Sequence, residues 1–192
     1  MEGKTQYSAI EFDILPLTER DRDGVIGFSC GCEELDTFFH CEVFTCAKYC
    51  YVSPFCAKGS NGEIIALFTL SNDCIILSSS FDKQDFLDDV AGIVDNEYQA
   101  VFGKQSSFPA VNIGHLAVRE DLQSKRIGQD ILNFVEATFS NYRIAGCQFI
   151  TVDSLNNPKT NGFYMRNGFQ IQTNSDACMP TRRMYLPINL YK

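Results

Sequence analysis

The chain has 192 residues, 45% of them hydrophobic and 21% charged, and its 16 Lys+Arg against 24 Asp+Glu give a net charge of −8. That composition suits one globular domain with a real core, and the acidic balance disfavours non-specific attraction to nucleic-acid phosphate or to an anionic membrane. No run approaches the roughly 18 apolar residues of a membrane span, and no apolar stretch follows Met1-Glu2-Gly3-Lys4-Thr5-Gln6, so neither a membrane partner nor a secretory signal is expected and the expected location is cytoplasmic.

Residues 11–17 alternate enough to predict a first strand. Residues 33–50 predict one helix, with Leu35, Phe38, Phe39, Phe44 and Ala47 near the 3.6-residue period. Residues 51–57 and 64–70 predict two strands joined by the hairpin signal Gly59-Ser60-Asn61-Gly62. Cys74–Leu77 either extends that sheet or begins a connection. Residues 81–108 read as an acidic insertion, partly helical, with a local charge of −4. A solvated helical face explains it, and a lid over a cationic substrate is the alternative.

A strand follows at 110–118, then a polar turn at 119–126 and a helix from about Gly128 to Tyr142, striped by Ile131, Leu132, Val135 and Phe139. Residues 147–152 predict another strand. Asn157-Pro158 opens a short helix that ends at Gly168, and strands at 169–173 and 183–189 close the chain. The class is α/β, with a mixed sheet whose last part is antiparallel.

Six of the nine cysteines crowd into residues 30–56, but paired C-x-x-C knuckles are absent. The total is odd and no export signal is visible, so reduced cysteines serving as small hydrophobes explain them; a zinc site or redox chemistry is the alternative. No metal is expected.

The segment Arg119–Gly128 carries the chemistry. A strand that feeds a basic loop and a helix N-terminus offers backbone N–H groups and the positive end of the helix dipole to an anion. Lys125 and Arg126 add charge, and Gly128 lets a diphosphate come close to the backbone. Many ordinary helices also begin after a basic loop, so the residues alone leave phosphate binding open.

Gln123-Ser124-Lys125-Arg126-Ile127-Gly128, between His115-Leu116-Ala117-Val118 and Gln129-Asp130-Ile131-Leu132, resembles the Q/R-x-x-G-x-G/A pyrophosphate loop of the GNAT acetyltransferase superfamily. The first motif glycine is Arg126 here. Asn157-Pro158-Lys159-Thr160-Asn161-Gly162-Phe163-Tyr164-Met165-Arg166-Asn167-Gly168-Phe169 is similar to a second signature of that family, with Thr160 in place of the usual alanine. Phe28-Ser29-Cys30-Gly31, followed by Leu35 and Phe38-Phe39, resembles the approach to the first helix in GNAT toxins of toxin–antitoxin systems, and the ending Arg182–Ile188 is similar to their closing strand.

The resemblance implies a single GNAT domain over residues 1–192, with a mixed, mostly antiparallel central sheet flanked by helices. It implies acetyl-CoA as co-substrate. Leu116, Ala117 and Val118 would meet the pantetheine arm by their backbone and hold the oxyanion. Gln123, Ser124, Lys125, Arg126, Ile127 and Gly128, with Gln129 behind them, would hold the diphosphate. Asn157 would contact the cofactor arm, and Tyr164 would act beside the sulfur as general acid.

Many relatives place a glutamate base six residues before the valine that ends this strand. Asn112 stands there, so a water ordered by Asn112 would relay the proton. His115 is the runner-up base, although alternation along the strand sets it on the face opposite Asn112. His115 and His40 both read as structural. The missing carboxylate favours an acceptor amine of low pKa.

The implied activity is acetyl transfer to a primary amine of a small molecule or peptide. The alternatives are a toxin that acetylates the amino group of aminoacyl-tRNA, with tRNA and an antitoxin protein as partners, and a non-catalytic acyl-CoA-binding module. The family suggests a monomer or a homodimer.

Overall fold

The computed structural model describes residues 10–77, 80–91, 100–142 and 144–188. Its strands hydrogen-bond in the order β1-β2-β3-β4-β5-β7-β6. They are β1 (Phe12–Pro16), β2 (Ser53–Gly59), β3 (Ile64–Ile76), β4 (Ser107–Val118), β5 (Phe149–Leu155), β6 (Gln170–Ile171) and β7 (Thr181–Pro187). The helices are α1 (Arg22–Ile26), α2 (Glu33–Thr37), α3 (Val43–Lys48), α4 (Ser80–Ala91), α5 (Ile127–Asn141) and α6 (Pro158–Arg166). The fold is mixed α/β, as the sequence implied. The chain divides into two compact units, residues 1–71 with 113–134 and residues 72–112 with 135–192.

In the first unit β1, β2 and the start of β3 form an antiparallel meander, in which Ile14 pairs with Ala57 and Cys56 with Leu67. The predicted hairpin turn is present. Gly59 N–H donates to Glu63 O at 3.0 Å, and Gly62 adopts φ 81°, which favours glycine. The core beneath this sheet joins Leu17, Val25, Phe28, Phe39, Val43, Cys56, Ile64, Leu67 and Ala117.

The helical stretch departs from the expected single helix over 33–50. A wide π-type turn at Phe38–Glu42 separates α2 from α3. Its extra residue shifts the helical phase, so Phe39 and Val43 are fully buried. Phe44 stays partly exposed, with the Arg22 guanidinium over its ring at 4.4 Å. The short α1, which buries only Val25, gave too little periodicity to be foreseen.

In the second unit β5 and β7 pair antiparallel from Phe149↔Pro187 to Leu155↔Thr181. The acidic stretch proves to be more than a solvated face. On α4, Gln84 and Asp88 are exposed and joined by a 2.7 Å hydrogen bond, whereas Phe86 is buried. Phe86 stacks on Phe102 at 5.8 Å and meets Phe108, Phe149 and Tyr185 in one aromatic core with Ile75, Leu77 and Ala110. Asp95 and Glu97 lie outside the described residues. β3 runs on through Cys74 to Ile76, which settles the open reading of that segment as sheet.

Replacing Phe86 by Ala is expected to lower unfolding free energy by about 3–5 kcal/mol, the range for a buried aromatic. Urea denaturation measures it. A change below about 1 kcal/mol, ordinary for a surface site, would return this segment to the solvated reading.

Candidate active site

In the first unit, β4 leads through a short turn, Glu120–Leu122, into α5. The connecting loop is pinned by apolar anchors at both ends, Leu122 and the almost fully buried Ile127, while Ser124, Lys125 and Arg126 are exposed between them. Ser124 has φ 62° and Arg126 φ 68°, so two left-handed residues flank Lys125. Alternation of this kind turns successive N–H groups toward one side and forms an anion-binding concavity. Arg126 thus adopts the backbone conformation that a glycine takes without penalty, which explains how the loop survives the departure from the motif.

The helix end is left open to a ligand. The first backbone bond of α5 runs from Asp130 N–H to Arg126 O at 3.0 Å. Arg126 therefore sits at the cap position, and a guanidinium has no acceptor with which to cap. The amides of Ile127, Gly128 and Gln129 precede the intrahelical ladder. No bond from them to a protein acceptor is found among the described residues.

Gln123 does something other than expected. Its N–H donates to Glu120 O at 3.3 Å, and its Nε2 donates to Cys30 O at 2.7 Å and Val118 O at 3.2 Å. The expected cup from Gln123 to Gly128 loses its first member, because those groups are spent within the protein. Gln123 instead ties the end of β4 to the Ser29-Cys30-Gly31 turn. Glu120 N–H adds a bond to Ser29 O at 3.0 Å, and Asp36 holds that turn through the Ser29 hydroxyl at 2.6 Å and Cys30 N–H at 2.8 Å. These clamps were not foreseen.

On β4, Ala117 is buried, and Leu116 and Val118 are half-buried. His115 is structural. Its Nδ1 lies 3.0 Å from Thr69 Oγ1, and its ring stacks on Phe38 at 3.5 Å. Burial pushes its pKa down, so it is neutral at physiological pH. His40 Nε2–H donates to Phe28 O at 2.7 Å.

In the second unit Asn112 is nearly buried, and its Nδ2 donates to Thr151 O at 3.3 Å and Thr151 Oγ1 at 3.2 Å. Asn157 is the N-cap of α6, and its Oδ1 accepts from Thr160 N–H at 2.9 Å. That bond uses one lone pair of the side-chain oxygen and commits neither the second lone pair nor the amide nitrogen. Tyr164 is 8% exposed and lies between the rings of Phe163 and Phe169 at 5.1 and 5.3 Å. Burial raises its pKa, so the phenol keeps its proton well above neutrality.

Gly168 ends this helix as expected. It has φ 87°, and an added Cβ would stand 3.2 Å from Leu186. A further network, Ser154 to Asn161 at 2.8 Å and Asn161 to Asn156 at 3.1 Å, braces α6 and left no trace in the sequence reading.

All nine cysteines are free thiols. Burial pushes Cys30 up to about 12 and Cys56 up to about 11, which suits inert core groups, but Cys41, Cys50 and Cys178 are exposed rather than core. Among the described residues, no group of three or more His, Cys, Asp or Glu is placed to hold a metal ion. No helix among them is long and apolar enough to cross a membrane.

Residues 84–171 match the family model described as acetyltransferase (GNAT) domain, a range that begins inside the acidic stretch. No curated protein matches the chain. Among solved structures, a tyrosine-to-phenylalanine mutant of the AtaT toxin is 18% identical, with a TM-score of 0.72 over 97% of this chain and 95% of its own. AtaT complexed with acetyl-methionyl-tRNAfMet is 19% identical, with a TM-score of 0.69 over 92% and 95%. AtaTR bound with acetyl-CoA is 20% identical, with a TM-score of 0.68 over 92% and 94%. The chain has the GNAT fold. The match to the acetyltransferase model covers just under half of the chain, and the structural neighbours include proteins described as toxins.

Replacing Arg126 by Gly relieves a left-handed residue that costs about 1–2 kcal/mol, against about 0.4–1 kcal/mol of added unfolded-chain entropy. The expected outcome is an unfolding free energy unchanged or up to about 1 kcal/mol higher. A clear loss in urea denaturation would show that the Arg126 side chain, not its backbone, stabilises the loop.

Proposed function

We propose that the chain is one acetyltransferase domain that moves an acetyl group from acetyl-CoA to an amine whose pKa lies near 7–8. The observation that carries this reading is the uncapped start of α5 behind the left-handed pair Ser124 and Arg126. Amides of the Lys125–Gln129 segment take the diphosphate, helped by the helix dipole and by the Lys125 and Arg126 charges. The backbone of Leu116, Ala117 and Val118 takes the pantetheine arm and steadies the oxyanion.

The acceptor nitrogen must be neutral to attack. A lysine amine of pKa about 10.4 needs a strong base, while an α-amine near 7.7–8.0 does not. Asn112 cannot take a proton itself; it orders the amine or a water, and the proton that the amine sheds on acylation leaves through that water to solvent. Tyr164, kept protonated by burial, is the proton donor to the departing thiolate. Asn157 keeps an amide nitrogen that serves the cofactor arm.

A second reading narrows the acceptor to the α-amino group of aminoacyl-tRNA. The AtaT complexes favour it, while the net charge of −8 argues against a tRNA surface unless basic residues cluster locally. Growth arrest on expression, relieved by Tyr164→Phe, supports this narrower reading; normal growth at full expression contradicts it.

Thiol release from acetyl-CoA against a panel of α-amines and ε-amines tests the main reading, with α-amines expected to turn over. Silence across the panel would contradict a transferase. Gly128→Asp is expected to abolish acetyl-CoA binding in calorimetry, because its side chain and charge fill the diphosphate position; unchanged affinity would refute the loop assignment. Tyr164→Phe is expected to cut kcat by about 10²-fold or more with acetyl-CoA affinity retained, the scale of a general acid. Parallel loss of affinity would make the tyrosine structural.

A further inference from the structure

One face of the sheet in the second unit changes character two residues along each of four strands. Ile75, Ala110, Phe149 and Tyr185 belong to its aromatic core, and beyond them stand Asp73, Asn112, Thr151 and Arg183. These four are joined. The Thr151 hydroxyl donates to Asp73 Oδ2, and Asp73 pairs with the Arg183 guanidinium, whose other nitrogen meets Asp153 at 2.8 Å. Thr151 is fully buried.

The direction of each bond is fixed by inventory. An ionised carboxylate only accepts, so the single hydroxyl proton of Thr151 is committed to Asp73; the approach to Val111 O at 3.4 Å is secondary. Thr151 Oγ1 then only accepts from Asn112, and Thr151 O, a carbonyl, accepts as well. The end of the Asn112 amide at Thr151 must be the nitrogen. Its carbonyl oxygen Oδ1 is the end left to a ligand.

We propose that Thr151 is a positioning residue that sets the Asn112 amide so that Oδ1 receives an N–H of the acceptor amine. This rests on the transferase reading above. An amide turned the other way would present its own N–H groups to the donors of the amine, and the nitrogen lone pair would lose its alignment. The device orients the nucleophile without removing its proton, which fits an acceptor that is neutral near pH 7–8.

The test compares Thr151→Val, which keeps the volume, with Thr151→Ser, which keeps the hydroxyl. Thr151→Val is expected to lower kcat/KM for the acceptor about tenfold, the worth of one oriented hydrogen bond, with acetyl-CoA affinity within about twofold of wild type. Thr151→Ser is expected to restore most of the rate. In an Asn112→Ala background, Thr151→Val is expected to cost nothing further, because the two act as one unit. Equal rates for Val and Ser, additive losses in the double variant, or a matching fall in acetyl-CoA affinity would overturn the proposal.

A reading without variants comes from the Asn112 Nδ2 protons in nuclear magnetic resonance. Slow solvent exchange is expected, and fast exchange would overturn the proposal even if Thr151→Val did not fold. A wild-type protein that acetylates no amine would remove the transferase reading itself, and the wild-type rate alone tells that failure from this one.

Discussion

The site depends on where the backbone N–H groups at the start of α5 are aimed. A helix of 15 residues concentrates partial positive charge at its first turn, and most helices neutralise that end with a side-chain cap. Here the cap position holds Arg126, whose left-handed backbone turns the chain and whose side chain has no acceptor. The amides of Ile127, Gly128 and Gln129 are therefore left for an anion. The aim survives only while the loop is anchored, by Leu122 and Ile127 through burial and by Gln123 through its bonds to Cys30 O and Val118 O. The Gln123 side chain is the tie that fixes the loop, and its backbone N–H, expected in the cup, is bonded to Glu120 O.

The same division between tying and acting recurs in the second unit. Asn157 spends one lone pair of its oxygen on the cap of α6. Asn112 spends its nitrogen on Thr151. Asn112 keeps its carbonyl oxygen, and Asn157 keeps its amide nitrogen and the second lone pair of its oxygen. Tyr164 is buried among aromatic rings and stays a proton holder at neutral pH. In the proposed reaction these groups would place a neutral amine and protonate a leaving thiolate, without a strong base.

Local signals carried much of this into the sequence. Gly168 ends a helix because few other residues accept φ 87°, and Gly62, at φ 81°, announces the hairpin for the same reason. The strand–loop–helix order around Gln123–Gly128 was equally plain, since it depends on contiguous residues. Long-range features were not legible. The bond from Gln123 to Cys30 joins positions 93 apart, and nothing near either one encodes it. The π-type turn at Phe38–Glu42 shifts the buried phase from Phe44 to Val43, which a fixed 3.6-residue period cannot anticipate. Phe86 was hidden by the aspartates around it, although its ring joins that of Phe102 in the aromatic core. Charge on one face of a helix says little about the opposite face.

The most direct measurement is a titration of the ¹⁵N-labelled protein with coenzyme A, followed amide by amide. The account predicts that the largest saturable shifts fall on Lys125, Ile127, Gly128 and Gln129, while the Gln123 amide, already bonded to Glu120, moves least within the loop. Saturable binding that leaves the first turn of α5 undisturbed would contradict it.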